Sequence, residues 1–197
     1  MDENRVFVLA DRALERVVHR IPDDRWEVVV PADFQTTRET PPTLREVVNY
    51  HAYDDAWVPD MLAGRSMEEV GATAYDGDLL GDDPRGAFSQ LVERACRAAE
   101  ELEDLSRTVH CSFGDFTAQE YLWQVTSFRG LRAVDIARIA GVEVDLPDDL
   151  VAGLWEEIAP HAEEWRAIGI FPAAVPVPQD APLLDRLLGL TGRQPRA

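Results

Sequence analysis

Four long amphipathic segments constrain the fold of this chain most strongly. In each of them apolar residues recur every three or four positions, the spacing that places side chains on one face of an α-helix. They cover residues 3–21, 43–63, 85–107 and 118–140. Two of them open with an S/T-x-x-E capping box, Thr43 with Glu46 and Thr117 with Glu120, which predicts helix starts there. Gly141 is placed to end the fourth helix. The pattern predicts an antiparallel bundle of four helices.

The remaining segments are shorter or irregular. A further helix is expected after Pro147, followed by a proline-rich extended stretch, FPAAVPVPQD, and a short final helix over 182–190. WEVVV (26–30) could form a short strand, and VHCSFGDF (109–116) is expected to be extended. The predicted architecture is all-α, with a bundle over residues 1–168 and an extended tail with a short helix over 169–197.

Composition excludes several classes of partner. The net charge is −18, and an acidic surface repels nucleic acids and anionic membranes. No apolar run approaches the roughly 18 residues of a membrane-spanning helix, and the first residues do not resemble a signal peptide, so the cytoplasm is the expected compartment. The expected partner is a small-molecule ligand, and a homodimer is possible.

Charged side chains on apolar helix faces mark a candidate site. His51 and Asp55 fall one turn apart inside the apolar stripe of the second helix, and Arg132 falls inside that of the fourth, with Asp135 at its edge. Because an isolated buried charge costs several kcal/mol, these groups should find one another. Arg132 is expected to pair with Asp55, with Asp54 or Asp135 as alternatives. The site is either a functional polar pocket or a structural ion pair beside a satisfied histidine.

Three segments resemble one protein superfamily. TLREVVNYHAYDDAWVPDMLAGR is similar to the family helix that carries a first metal-binding histidine. VDIARIAG resembles the family motif HxWDLArAxG, and VPVPQDAPLLDRLLGLTGRQP resembles its closing segment. The family is the DinB superfamily, in particular its actinobacterial branch of mycothiol-dependent maleylpyruvate isomerase-like proteins. The resemblance implies a DinB-like four-helix bundle.

The resemblance also implies a metal site, which this chain has largely lost. Relatives hold one divalent metal through a histidine on the second helix and an acidic residue and a histidine on the fourth. The first ligand matches His51, whereas Phe128 stands at the acidic position, Arg132 at the second histidine and Val134 at the motif tryptophan. Phenylalanine cannot ligate, and a guanidinium has no lone pair to offer. We therefore expect no metal site and no cofactor, although relatives use a divalent metal and a low-molecular-weight thiol, and we expect Arg132 to supply the positive charge.

Three functions remain open at this point. The first is a metal-independent isomerase, lyase or transferase with His51 as acid/base, Arg132 as anion clamp and Asp55 orienting one of them. The second is a non-catalytic protein that binds a small carboxylate or thiol-derived ligand. The third is a metal- and thiol-dependent isomerase or transferase with an atypical ligand set that includes His51 and a nearby carboxylate.

Overall fold

The computed structural model describes residues 2–32, 34–36, 38–112 and 114–195, and within α5 it leaves out the side chains of 126–128. The described part of the chain is largely helical. Its helices are α1 (Glu3–Arg20), α2 (Leu44–Leu62), α3 (Met67–Val70), α4 (Pro84–Glu100), α5 (Ala118–Ala140), α6 (Asp148–Ala167) and α7 (Leu183–Leu190). A hairpin of β1 (Thr108–Cys111) and β2 (Gly114–Thr117) precedes α5. Within this part, no helix combines the length and the apolar character needed to cross a membrane.

The two predicted capping boxes start α2 and α5. The backbone N–H of Glu46 donates to Thr43 Oγ1 (3.2 Å), and the N–H of Thr43 donates to the Glu46 carboxylate (2.8 Å). Thr117 and Glu120 repeat the arrangement with the same two distances. Gly141 ends α5 at φ +72°, a left-handed conformation that glycine adopts without steric cost. Local sequence therefore determines where these two helices begin and where α5 ends.

The helix predicted over 85–107 is shorter than expected, because α4 ends at Glu100. The Asp104 carboxylate accepts hydrogen bonds from the backbone N–H (2.9 Å) and hydroxyl (2.6 Å) of Ser106, a local turn that competes with helix. Of the segment predicted to be extended, 109–116, residues 109–111 and 114–116 lie in the strands of the antiparallel hairpin. Residues 26–30, suggested as a short strand, do not form one. They contribute an isolated antiparallel β-bridge between Val29 and Thr43.

Residues 2–145 make one compact unit, in which four helices enclose the core. Helix α1 packs against α4 and α5, and α2 packs against the same two helices. The predicted neighbours α2 and α5 are therefore in contact. At one end of the core the buried side chains come from all four helices and the hairpin; they include Phe7, Trp57, Met61, Leu62, Ala95, Ala99, Val109, Tyr121 and Leu122.

Residues 146–195 form a second compact unit from α6, the extended tail and α7. Within it, the Arg166 side chain donates to the carbonyl of Leu190 (2.6 Å), and the N–H of Val175 donates to the carbonyl of Gly189 (2.9 Å). A Cβ at Gly189 would lie 2.7 Å from the Val175 carbonyl oxygen, so only glycine permits this close approach. The expected division into 1–168 and 169–197 stays a prediction.

Candidate functional site

A buried arginine in the middle of α5 is the centre of the candidate site. The Arg129 side chain is 1% exposed, and its Nη1 donates to Asp11 Oδ1 on α1 (2.7 Å) and to Asp55 Oδ1 on α2. Its Nε donates to the carbonyl of Val125 (3.0 Å). A single guanidinium nitrogen thus bridges carboxylates on two other helices through charge-assisted hydrogen bonds, so Arg129 joins three helices.

The two carboxylates around Arg129 differ in their other contacts. Asp11 Oδ2 accepts a weak hydrogen bond from the thiol of Cys96 on α4 (3.8 Å), so all four core helices reach the cluster. Asp55 Oδ2 has no hydrogen-bond partner among the described residues. Burial raises the pKa of both carboxyls against the opposing effect of Arg129, and it raises that of Asp55 well above its ordinary value. Of the two carboxyls, Asp55 is therefore the one that holds a proton more readily, and Asp11 is the one that more readily forms an ion pair with Arg129.

His51 lies one turn before Asp55 on α2, and its side chain is buried as predicted, with 5% of the residue exposed. Its Nδ1 has no hydrogen-bond partner in the described part of the chain. Burial, then the charges of Arg129 and Arg132, lower the pKa of His51 well below its ordinary value. The imidazole is therefore neutral near pH 7, with one nitrogen able to donate and the other to accept.

Asp54 is the partly buried acidic residue beside Asp55. It follows His51 by three positions, so both side chains lie on neighbouring parts of one helix face. Burial, with a smaller contribution from Asp11, raises the pKa of Asp54 to about 6, although Arg129 opposes the shift. Asp54 therefore ionises close to neutral pH. We refer to Asp11, His51, Asp54, Asp55 and Arg129 together as the polar cluster.

The prediction that Arg132 is buried and paired with Asp55 is wrong. The Arg132 side chain is 19% exposed; its Nη2 donates to the carbonyl of Gln35 (2.6 Å), and its guanidinium carbon lies 4.5 Å from the Phe34 ring centroid. Its Nη1 lies 3.6 Å from Asp135, which was an alternative partner. Arg129, three positions earlier, takes the buried place with Asp55. Three residues turn a helical side chain by about 300°, which moves Arg132 off the line that faces α1 and α2.

The metal site that the resemblance implies for relatives has no counterpart in the described residues. Among them, no three His, Cys, Asp or Glu side chains are grouped so that they could hold a metal ion. The side chain of Phe128, at the family's acidic position, lies outside the described residues. The Arg129 guanidinium lies between the carboxylates of Asp11 and Asp55, where its permanent charge would repel a divalent cation. The residues of the polar cluster therefore do not fit the metal that relatives carry.

Two members of the polar cluster were missed from the sequence, although the helical pattern contains them. Asp11 falls on the line of buried residues Phe7, Leu14 and Val18 on α1. Arg129 falls seven positions after Leu122 and seven before Ile136, both fully buried on α5. The predicted apolar stripes lie one residue to the side of these lines. Stripes drawn through the residues that are buried would have included both Asp11 and Arg129.

Comparison with known proteins adds no assignment to this geometry. The DinB resemblance therefore depends on the three sequence segments, and membership of that superfamily stays a prediction. No protein-family model, no curated protein and no solved structure matches this chain.

Proposed function

We propose that the chain is a DinB-like four-helix-bundle protein that binds a small polar molecule at the polar cluster without a metal. The helix contacts support this fold, because each of α1, α2, α4 and α5 packs against two of the others in a closed ring. The packing of α2 on α5 is the contact that the family's site requires. His51, at the position of the family's first ligand, lies beside the cluster.

The observation that carries the proposal is a set of three buried polar atoms on neighbouring side chains. His51 Nδ1, Asp55 Oδ2 and Arg129 Nη2 have no hydrogen-bond partner among the described residues. Folded proteins leave few buried polar atoms unpaired, since each costs about 1–3 kcal/mol. A bound molecule with complementary polar groups would form hydrogen bonds with all three atoms. A purely structural ion pair offers no reason for these atoms to be unpaired.

The chemistry of the three atoms defines what such a molecule must offer. Arg129 Nη2 carries two N–H groups and requires an acceptor, such as a carbonyl oxygen. Asp55 in its protonated form can donate from Oδ2, and neutral His51 can donate or accept at Nδ1. Arg132 lies nearer the surface and adds positive charge within range of His51, where it can attract an anionic part of the ligand.

Native mass spectrometry of the purified protein tests this proposal. We expect a non-covalent adduct that disappears on denaturation and whose released molecule rebinds the apo-protein. His51→Leu, which removes one of the unpaired atoms, should weaken rebinding at least tenfold. Trp26→Phe is the matched control, because Trp26 Nε1 is also buried without a partner among the described residues but lies outside the cluster. Equal rebinding by both variants would contradict the proposal.

A further inference from the structure

The loop that precedes α2 is fixed at both of its ends. The N–H of Val30 donates to the carbonyl of Pro42 (2.9 Å), and the N–H of Leu44 donates to the carbonyl of Val28 (2.9 Å). The loop between Val30 and Pro42 therefore leaves and rejoins the bundle at one place, as compact surface loops with neighbouring ends do. Movement of the loop need not disturb the start of α2.

Arg132 of α5 holds two residues of this loop, Phe34 and Gln35. Arg132 Nη2 donates to the carbonyl of Gln35 (2.6 Å), and its guanidinium carbon lies 4.5 Å from the Phe34 ring centroid, within cation–π range. The N–H of Phe34 donates to the carbonyl of Pro31 (2.9 Å), a turn that positions the ring. Phe34 and Gln35 are partly buried, whereas the other described residues of the loop are exposed. We refer to Phe34 and Gln35 as the lid.

The second half of the loop leaves space between itself and α2. A cavity of about 400 Å³ is lined by residues 38–41 and by Glu46 of α2. The Arg38 guanidinium pairs with the Glu46 carboxylate at its rim (2.7 Å), and both side chains are about half exposed. This part of the loop is not packed tightly against the bundle. The lid therefore has room to move away from Arg132.

The position that the Gln35 carbonyl takes on Arg132 suits a carboxylate better. A carboxylate can accept two parallel hydrogen bonds from a guanidinium and brings the opposite charge, whereas a carbonyl is neutral. Asp135 lies 3.6 Å from Arg132 Nη1, which is beyond ordinary hydrogen-bond distance. The Arg132 side chain is 19% exposed and that of Arg129 is 1% exposed, so of the two guanidiniums a solute can reach that of Arg132.

We propose that Arg132 is a carboxylate-binding residue and that the lid covers it until a carboxylate displaces the Gln35 carbonyl. This inference rests on the proposed function, in which Arg132 attracts the anionic part of the ligand. Binding exchanges a neutral acceptor for an anionic one, and the Gln35 carbonyl returns to water. The lid competes with the ligand, so the apparent affinity is reduced by the fraction of molecules in which the lid is closed. Uncharged solutes leave the lid closed, because they offer Arg132 no more than the carbonyl does.

NMR spectroscopy of the isotope-labelled full-length protein tests the inference, with acetate as the probe. We expect acetate, but not chloride at the same ionic strength, to shift the backbone amide signals of Phe34, Gln35 and Thr36. The signals should move toward the positions that they have in Arg132→Met, in which the lid is released. Acetate should leave the same signals of Arg132→Met unchanged. Phosphate should bind more weakly than acetate, because Asp135 repels a doubly charged anion more strongly.

A second variant leaves Arg132 in place and weakens only the lid. Phe34→Leu removes the ring from the guanidinium and should tighten acetate binding about two- to fivefold, the factor that corresponds to an exposed cation–π contact. Arg38→Gln is the matched control, because it removes the Arg38–Glu46 ion pair of the same loop and should leave the acetate response unchanged.

Three results would overturn the inference. They are wild-type lid signals that do not respond to acetate, an acetate response that persists in Arg132→Met, and acetate binding that is not tightened by Phe34→Leu. Phosphate binding tighter than that of acetate would overturn the choice of a carboxylate as the ligand group. The native adduct and its loss in His51→Leu test the binding site at the polar cluster separately, so failure of the lid leaves that proposal intact.

Discussion

Arg129 Nη1 on α5 lies 2.7 Å from Asp11 Oδ1 on α1, although 118 positions separate the two residues in the chain. The bond brings a permanent cation into the centre of an otherwise apolar helix interface. Asp55 on α2 and Cys96 on α4 complete the contacts to all four core helices. The predictions below follow from the charges of this arrangement.

Replacing Arg129 by methionine should destabilise the fold strongly. The change leaves the Asp11 carboxylate buried without its counter-ion, and loss of one partner of a buried pair typically costs about 3–5 kcal/mol. Urea unfolding monitored by circular dichroism measures this difference. Arg132→Met is the control and should cost less than about 1 kcal/mol, because Arg132 is partly exposed. A larger loss for Arg132→Met than for Arg129→Met would show that the two arginines have been assigned the wrong roles.

Asp11 and Asp55 should respond differently to the same substitution. Asparagine resembles a protonated aspartic acid in shape, and Asp55 is the carboxyl with the more strongly raised pKa. We therefore expect Asp55→Asn to cost less than about 1.5 kcal/mol at pH 7. Asp11→Asn removes the ionised partner of Arg129 and should cost about 3–5 kcal/mol. Equal losses of unfolding free energy for the two variants, measured by urea unfolding, would show that the proton does not prefer Asp55 to Asp11.

His51 should make the folded state sensitive to mild acid. Its pKa in the folded state is well below the unfolded value of 6.5, so below pH 6.5 the unfolded chain binds a proton that the folded chain excludes. Stability is therefore fully present above pH 6.5 and falls by up to about 1.4 kcal/mol per pH unit as the pH decreases. Relative to His51→Gln, the wild type should therefore lose unfolding free energy as the pH falls from 6.5 to 5.

Asp54 should produce a pH effect of opposite sign. Its pKa rises to about 6 on folding, so its contribution is favourable below the unfolded value near 3.8 and is lost as the pH increases to 6. Relative to Asp54→Asn, the wild type should lose stability between pH 4 and pH 6. Chemical unfolding of both proteins at several pH values measures the difference. A constant difference over this range would show that Asp54 is solvated.

The purified protein should contain no stoichiometric zinc, nickel or iron. The reason is the position of Arg129, whose guanidinium fills the space between two carboxylates that could otherwise serve as ligands. Elemental analysis measures the metal content, and the melting temperature should not change when EDTA is added. About one metal per chain, with loss of stability on chelation, would show that the ligands are residues other than those of the polar cluster.

The helices of this fold could be predicted because their ends are encoded locally. Thr43 and Thr117 each form the expected capping box, and Gly141 terminates α5 as predicted. The end of α4 could not be derived in this way, since apolar residues continue in register beyond Glu100 and a polar turn at Asp104 ends the helical pattern. Side-chain hydrogen bonds that compete with helix formation are difficult to recognise from the sequence alone.

The candidate site was predicted in part. His51 and Asp55 are buried on the expected face of α2, because they continue the line that Leu44, Val48 and Leu62 form along this helix. On α5, buried residues such as Leu131, Val134 and Ala137 extend around much of the circumference, so the pattern does not show which arginine faces inward. Only the packing of α1 and α2 against α5 selects Arg129 over Arg132.

The position of Arg129 also determines how the helices can slide along one another. Aliphatic side chains such as Leu14, Val48 and Leu131 would tolerate a shift of α5 by one turn with other apolar contacts in their place. The same shift of about 5.4 Å would separate the guanidinium from Asp11 and Asp55 and leave three polar groups buried apart. The apolar core alone would accept such shifted alignments of the helices, and the Arg129 side chain excludes them. The polar cluster therefore fixes the register of α1, α2 and α5 relative to one another.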